Sequence, residues 1–226
     1  MSGVVSLHWF YFLLLLTSCN NNPVTPNKEN SQPVKPDTRP VEKKLKTIVF
    51  FGNSLTAGYG IDESEAFPAL IQTRIDSLKL PYKVINAGLS GETSAGGKSR
   101  IGWLLRQPVD IFILELGGND GLRGISASET SKNLQSIIDE VKTKYPDVKI
   151  VLAGMKIPPS MGNTYASEFS AIYPKLAKQN KISLIPFILE GVGGESQLNQ
   201  RDEIHPTAAG HKIIAENVWK VLRGLL

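Results

Sequence analysis

The chain is predicted to fold as an α/β protein, a three-layer α/β/α sandwich around a central parallel sheet of about five strands. Two observations carry that prediction. From Thr47 onward, short runs rich in β-branched residues alternate with longer stretches whose apolar residues recur at helical spacing. The runs are also apolar at successive positions, as in Ile48-Val49-Phe50-Phe51 and Ile111-Phe112-Ile113-Leu114. A strand of that kind buries both faces, the condition of a parallel sheet covered by helices on either side.

In chain order the strand segments are Ile48 to Phe51, Tyr82 to Ile85, Ile111 to Leu114, Val148 to Ala153 and Ile182 to Ile185. Helices are marked first by Phe67, Leu70, Ile71, Ile75 and Leu78, then by Leu134, Ile137, Ile138 and Val141. Two more follow, through Phe169, Ile172, Tyr173 and Leu176 and through Ile214, Val218, Leu222 and Leu225. Spacings of three and four place each set on one face. Ser94 to Arg106 is predicted helical as well, with weaker periodicity.

The 226 residues carry a formal net charge of +4 and one cysteine, so no internal disulfide can form. That charge is unevenly placed. Residues 1–19 have no Asp, Glu, Lys or Arg, residues 20–46 hold six basic against three acidic side chains, and residues 47–226 are left at +1. So neutral a body lacks the basic stripe of a nucleic-acid binder, and no such partner is expected. The apolar run at residues 9–16 is too short to span a bilayer and reads as the core of an export signal. Five of the 14 prolines stand at 23, 26, 33, 36 and 40 among polar residues, with little to bury. The expected organisation is a leader at 1–19, a disordered tether at 20–46 and one domain at 47–226.

In open parallel sheets ligands bind beyond the carboxyl ends of the strands, so the segments that follow each strand are the candidate functional loops. They are Gly52-Asn53-Ser54-Leu55 after the first strand, Asn86-Ala87-Gly88-Leu89-Ser90-Gly91 after the second and Glu115-Leu116-Gly117-Gly118-Asn119-Asp120 after the third. Asp202-Glu203-Ile204-His205-Pro206 precedes the last helix. A serine hydroxyl is a weak nucleophile and needs a base within hydrogen-bond reach, a role suited to histidine with its reference pKa near 6.5. His205 is the better candidate base, because His211 falls within the last helix. Asp202, three residues earlier, is placed to orient the imidazole, with Glu203 the weaker alternative. The backbone N–H groups of Ser54 and Gly91 and the Asn119 amide would supply three donors to an oxyanion. This chemistry calls for no metal or organic cofactor.

Together these blocks resemble the SGNH hydrolase (GDSL esterase/lipase) superfamily, most closely its thioesterase I/lysophospholipase/arylesterase branch. Glu115 to Gly124 (Glu-Leu-Gly-Gly-Asn-Asp-Gly-Leu-Arg-Gly) and Phe169 to Lys178 carry the likeness most strongly, and it spans residues 47–226. The resemblance implies a flavodoxin-like SGNH fold, Ser54 as nucleophile, Gly91 and Asn119 in the oxyanion hole, and Asp202 and His205 completing the triad. It implies a monomer acting on a small acyl ester, thioester or lipid. One residue departs from the motif: Asn53 stands where the family has Asp, a near-isosteric change that activity is expected to survive. Leu16-Thr17-Ser18-Cys19 likewise resembles the lipobox of bacterial lipoproteins, implying a diacylated Cys19 that anchors the protein in the cell envelope. Asn20 in place of the Asp that signals inner-membrane retention favours the outer membrane.

Rival motifs fail on particular residues. A phosphate-binding loop ending in Gly97-Lys98-Ser99 would need glycine where Glu92 stands. The Gly-x-Ser-x-Gly elbow is absent, and two histidines in the body are too few for most zinc catalysis. Acyl specificity is expected from Leu122, Met155, Ile157, Pro158 and Tyr165 in the loops above the sheet. The remaining functional alternatives are a carbohydrate O-acetylesterase and a catalytically silent ligand-binding lipoprotein.

Overall fold

Phe50 and Phe51 are adjacent on the first strand and wholly buried, and they point to opposite faces of the sheet. The Phe50 ring meets Phe67 edge-on at 5.5 Å, whereas Phe51 packs against Phe112 at 5.6 Å and under the Arg100 guanidinium at 4.1 Å. The two sides of this one strand are thus covered by different helices. The computed structural model describes residues 45–226; the leader, Cys19 and the tether as far as residue 44 lie outside the described residues.

The strands are β1 (Lys46–Gly52), β2 (Tyr82–Gly88), β3 (Ile111–Glu115), β4 (Lys149–Ala153) and β5 (Ser183–Ile185). The helices are α1 (Ser54–Ala57), α2 (Phe67–Ser77), α3 (Ser94–Leu104), α4 (Gly118–Leu122), α5 (Ala127–Lys144), α6 (Asn163–Asn180) and α7 (Ala208–Leu222). All strands pair in parallel in the order β2-β1-β3-β4-β5. Helices α2 and α7 pack together on one face, and α3, α5 and α6 on the other. The three-layer sandwich and five parallel strands agree with the sequence expectation.

Boundaries differ where the apolar pattern is interrupted. β1 takes in Lys46, assigned from sequence to the tether, because its N–H donates to Pro81 O at 2.9 Å and it pairs with Tyr82. β2 continues three residues past Ile85, as an edge strand whose outward side chains, such as Asn86, are exposed. The register Gly52↔Gly88 sets the carboxyl ends of β1 and β2 level. Gly88 admits no side chain there, since a Cβ would collide with the Ala57 backbone of α1. α4 forms within one of the segments expected as loops. Gly117 enters it with φ +112°, and a side chain at Gly121 would strike Ile157.

His211 lies on α7, in the core rather than near the candidate base. It is 1% exposed, accepts the Phe67 N–H at Nδ1 over 3.1 Å and stacks on the Phe67 ring at 6.0 Å. Burial lowers its pKa from 6.5 to about 4. On acidification the unfolded chain therefore takes up this proton before the folded one, and His211 withdraws stability as pH falls from 6.5 toward 4. Relative to a His211→Gln variant, wild-type stability should fall by about 2–3 kcal/mol between pH 7 and pH 4.5, read from denaturant unfolding. A difference independent of pH would show that burial leaves the ring titrating as it does in the unfolded chain.

Candidate active site

Asn53 leaves β1 and caps α1, its Oδ1 accepting the Leu55 N–H at 2.9 Å. Ser54 is the first residue of that single helical turn and is 7% exposed. As a helix N-terminal residue its own N–H has no intrahelical acceptor, which leaves it free for a ligand. The Ser54 hydroxyl lies 2.9 Å from His205 Nε2.

The loop before α7 is shaped to present that histidine. Glu203 adopts a left-handed backbone at φ +59°, and the Asp202 carboxylate accepts the N–H groups of Ile204 and His205, each at 3.0 Å. The other Asp202 oxygen lies 2.6 Å from His205 Nδ1. A carboxylate can only accept, so the ring proton sits on Nδ1 and Nε2 faces the serine as an acceptor. Hydrogen bonds from the His205 backbone and ring and from Ile204 hold the Asp202 pKa down at about 2. The loop is closed by an Asn199–Pro206 bridge, and the Gln200 side-chain amide donates to Tyr59 O at 2.7 Å. The Tyr59 ring covers the imidazole at 4.6 Å. Thr207 caps α7, its side chain accepting the Gly210 N–H.

Gly91 has φ +79°, a conformation open to glycine at low cost, and Arg123 donates to its carbonyl at 3.0 Å. Asn119 Nδ2 donates one hydrogen to Glu92 O at 2.9 Å, keeping a second for a ligand. Glu92, the residue that disqualified the phosphate loop, is buried and paired with Arg100. Asp120 locks this corner by accepting the N–H and hydroxyl of Ser94, at 2.8 and 2.5 Å.

A cavity of about 740 Å³ opens beside Ser54 and His205. Leu122, Met155, Ile157 and Pro158 line it, joined by Phe187 and Leu189 from beyond β5. Tyr165 does not line it. Its hydroxyl donates to Ile125 O at 2.5 Å and its ring packs against Phe169 at 6.1 Å, so it fastens α6 to the loop after α4. Glu203, the alternative orienter, faces the cavity and leaves the imidazole to Asp202.

Sequence reasoning overlooked Glu115. At the end of β3 and 2% exposed, it accepts Asn53 Nδ2 at 2.8 Å, Asn53 N–H at 3.2 Å and the Thr56 hydroxyl at 2.8 Å. Burial outweighs the hydrogen bonds from Thr56 and Asn53 and raises its pKa to about 7. The available signal was an acidic residue closing a strand that is otherwise wholly apolar.

Residues 50–213 match the model of the GDSL-like Lipase/Acylhydrolase family. The chain is 40% identical over 182 residues to "Esterase TesA" of Pseudomonas aeruginosa, an alignment covering 80% of this chain and 90% of that protein. It is 39% identical over 181 residues to "Thioesterase 1/protease 1/lysophospholipase L1" of Escherichia coli, covering 80% of this chain and 85% of that one. The crystal structure of TesA superposes with a TM-score of 0.77 at 40% identity, covering 80% of this chain and all of that chain. A hydroxyl, an imidazole and a carboxylate in hydrogen-bonded series beside free N–H donors, on a flavodoxin-like sheet, accord with these likenesses, and the chain belongs to the GDSL-like lipase/acylhydrolase family.

Proposed function

We propose that this protein hydrolyses carboxylic esters and thioesters through an acyl-enzyme formed on Ser54. The observation that carries the reading is the unbroken series Ser54 Oγ, His205 Nε2, His205 Nδ1 and Asp202, with steps of 2.9 and 2.6 Å. Ser54 Oγ attacks the carbonyl carbon while Nε2 takes its proton, and Asp202 stabilises the imidazolium. The carbonyl oxygen becomes an oxyanion facing the N–H groups of Ser54 and Gly91 and the Asn119 amide. Collapse expels the alcohol or thiol, protonated by His205. Water then attacks the acyl-enzyme with the same histidine as base, and the acid leaves.

The cavity favours an acyl chain over the acetyl group of a carbohydrate. Its lining surface is mainly apolar, and its volume lies within the size range of small-molecule sites. Around its side of the domain, Tyr59, Leu89, Leu122, Met161 and Ile204 are exposed, five of the eight large apolar side chains exposed among the described residues. Single exposed apolar residues are ordinary, but a group at one edge of the sheet marks a surface that meets apolar material. Amphiphilic esters such as lysophospholipids fit this surface. Residues 9–19 support an envelope location in which a diacylated Cys19 tethers the domain to a membrane, with the outer membrane favoured.

A fluorophosphonate probe should label wild-type protein at Ser54, and Ser54→Ala should lose the label and at least about a thousandfold in kcat/KM. Unlabelled wild type would favour the silent binding protein instead. Ser167 is exposed on α6 and lines the cavity. Ser167→Trp should lower kcat/KM for long-chain esters about tenfold and leave acetyl esters within about twofold; equal losses on both would remove the cavity from acyl selection. In bacteria fed labelled palmitate, the full chain should become labelled and partition with membranes, and Cys19→Ser should do neither. Unchanged labelling of that variant would place the acyl group elsewhere.

A further inference from the structure

Asn53 and Glu115 meet beneath the nucleophile in an arrangement whose donors are fixed. The Asn53 backbone N–H can only donate, and it points at Glu115 Oε2. The Asn53 side chain has its amide nitrogen on Glu115 Oε1, because its oxygen is taken by the Leu55 N–H at 2.9 Å and lies 3.4 Å from Ser54 Oγ. Thr56 completes the set with its hydroxyl on Oε2. Three donors converge on one carboxyl group, and a carboxylate satisfies all of them. A protonated carboxyl would bring a fourth hydrogen into a site that offers only the Thr56 oxygen to receive it, displacing either Thr56 or the Asn53 amide. The latter movement uncaps α1 at the residue next to Ser54.

The charged and titratable groups around Glu115 give it no counterion. From α6, the Tyr173 hydroxyl donates to the neighbouring Leu116 O at 3.1 Å, and the negative charges of Glu115 and Asp120 both add to the rise in its pKa that burial causes. From α4, Asp120 is spent on Ser94 and Thr130. His205 is reached only through Ser54. Ion pairs among the described residues join other side chains. An Asp at position 53 would set two carboxyl groups across the 2.8 Å contact, where both cannot ionise and one proton would be shared. An Asn there leaves a single carboxyl that ionises alone.

We propose that Glu115 and Asn53 form a positioning pair in which the Glu115 carboxylate holds the Ser54 turn in its reactive geometry, and that protonation of Glu115 slackens the turn and lowers the rate. The pair acts through Ser54, so the inference rests on Ser54 being the nucleophile. Burial places the titration of Glu115 near neutral pH, inside the working range of an esterase. The site is a rate control built from one buried anion, set by the amide that replaces a second carboxyl group.

The test is the pH dependence of kcat and KM for a soluble aryl ester, measured on the full chain and on Glu115→Gln, Asn53→Asp and the double variant Asn53→Asp/Glu115→Gln. Wild type should show an acidic limb in kcat steeper than one ionisation gives. Glu115→Gln should lose about tenfold to a hundredfold in kcat with KM within about twofold, and its limb should fit one ionisation. The double variant, with the carboxylate and the amide exchanged across the same contact, should recover at least about tenfold over Glu115→Gln. Asn53→Asp should move the acidic limb to lower pH and add a decline at high pH, where the shared proton leaves. A wild-type kcat and profile in Glu115→Gln would overturn the proposal, as would a double variant no faster than Glu115→Gln. Should Glu115→Gln fail to fold by circular dichroism, a wild-type profile in Asn53→Asp would overturn it alone. Fluorophosphonate labelling of Ser54 separates this outcome from failure of the nucleophile assignment, since labelled protein with an unaltered pH profile removes only the pair.

Discussion

A right-handed crossover decides which face of a sheet its helix covers, and here the chain changes its direction of travel only once among the strands. It steps outward from β1 to β2, returns across β1 to β3 and then continues to β5. Handedness therefore sends α2 to one face and α3, α5 and α6 to the other, and α7 comes back to join α2. The segments after β1 and β3 turn apart and leave a crevice between them, the usual ligand position of such sheets. Ser54 enters it from β1, Gly91 from β2 and Asn119 from β3, while the return to α7 carries His205 over the same edge. No single segment contains the site. The reversal of strand order assembles it.

Within the crevice, two acidic side chains show how solvent and donors together decide charge. Asp202 is 39% exposed and receives donors from its own loop, so ionisation is cheap and its carboxylate is available to the imidazole far below neutral pH. Glu115 also receives three donors, but it is sealed from water, and desolvation outweighs them. The first anchors the imidazole beside Ser54. The second underlies the turn that carries Ser54. Asn53 links the two functions, because the orientation that serves Glu115 is also the one that caps the Ser54 turn.

Most of the fold was legible because buried strands and amphipathic helices write different periods into the chain, and β1, β3 and β4 each hold four successive buried apolar residues. The edge strand β2 was cut short for the same physical reason, since the exposed Asn86 breaks the run. Ser54, Gly91, Asn119, Asp202 and His205 could be picked out because their chemistry needs particular residue types in post-strand segments. Side chains that serve those residues from beneath follow no such pattern. Glu115 is an ordinary acidic letter until β3 is laid beside β1 with Gly52 opposite it. Tyr165 failed in the other direction: an aromatic in a loop-rich stretch suggested an acyl wall, but carbonyl groups nearer to hand claimed its hydroxyl.

His211 and Glu115 lie beneath opposite outcomes of the same burial. The folded state keeps His211 neutral down to about pH 4, where the unfolded chain would charge it below 6.5. It keeps Glu115 protonated up to about pH 7, where the unfolded chain would ionise it above 4.5. Between those limits folding releases a proton at one residue and takes one up at the other, and the net exchange from the pair is close to zero. Acidification then costs stability at His211 and returns it at Glu115, each on the order of 3 kcal/mol, so the two contributions offset each other across this interval. With Glu115 acting on the Ser54 turn as proposed, mild acid would slow turnover without these two buried residues adding a net loss of stability.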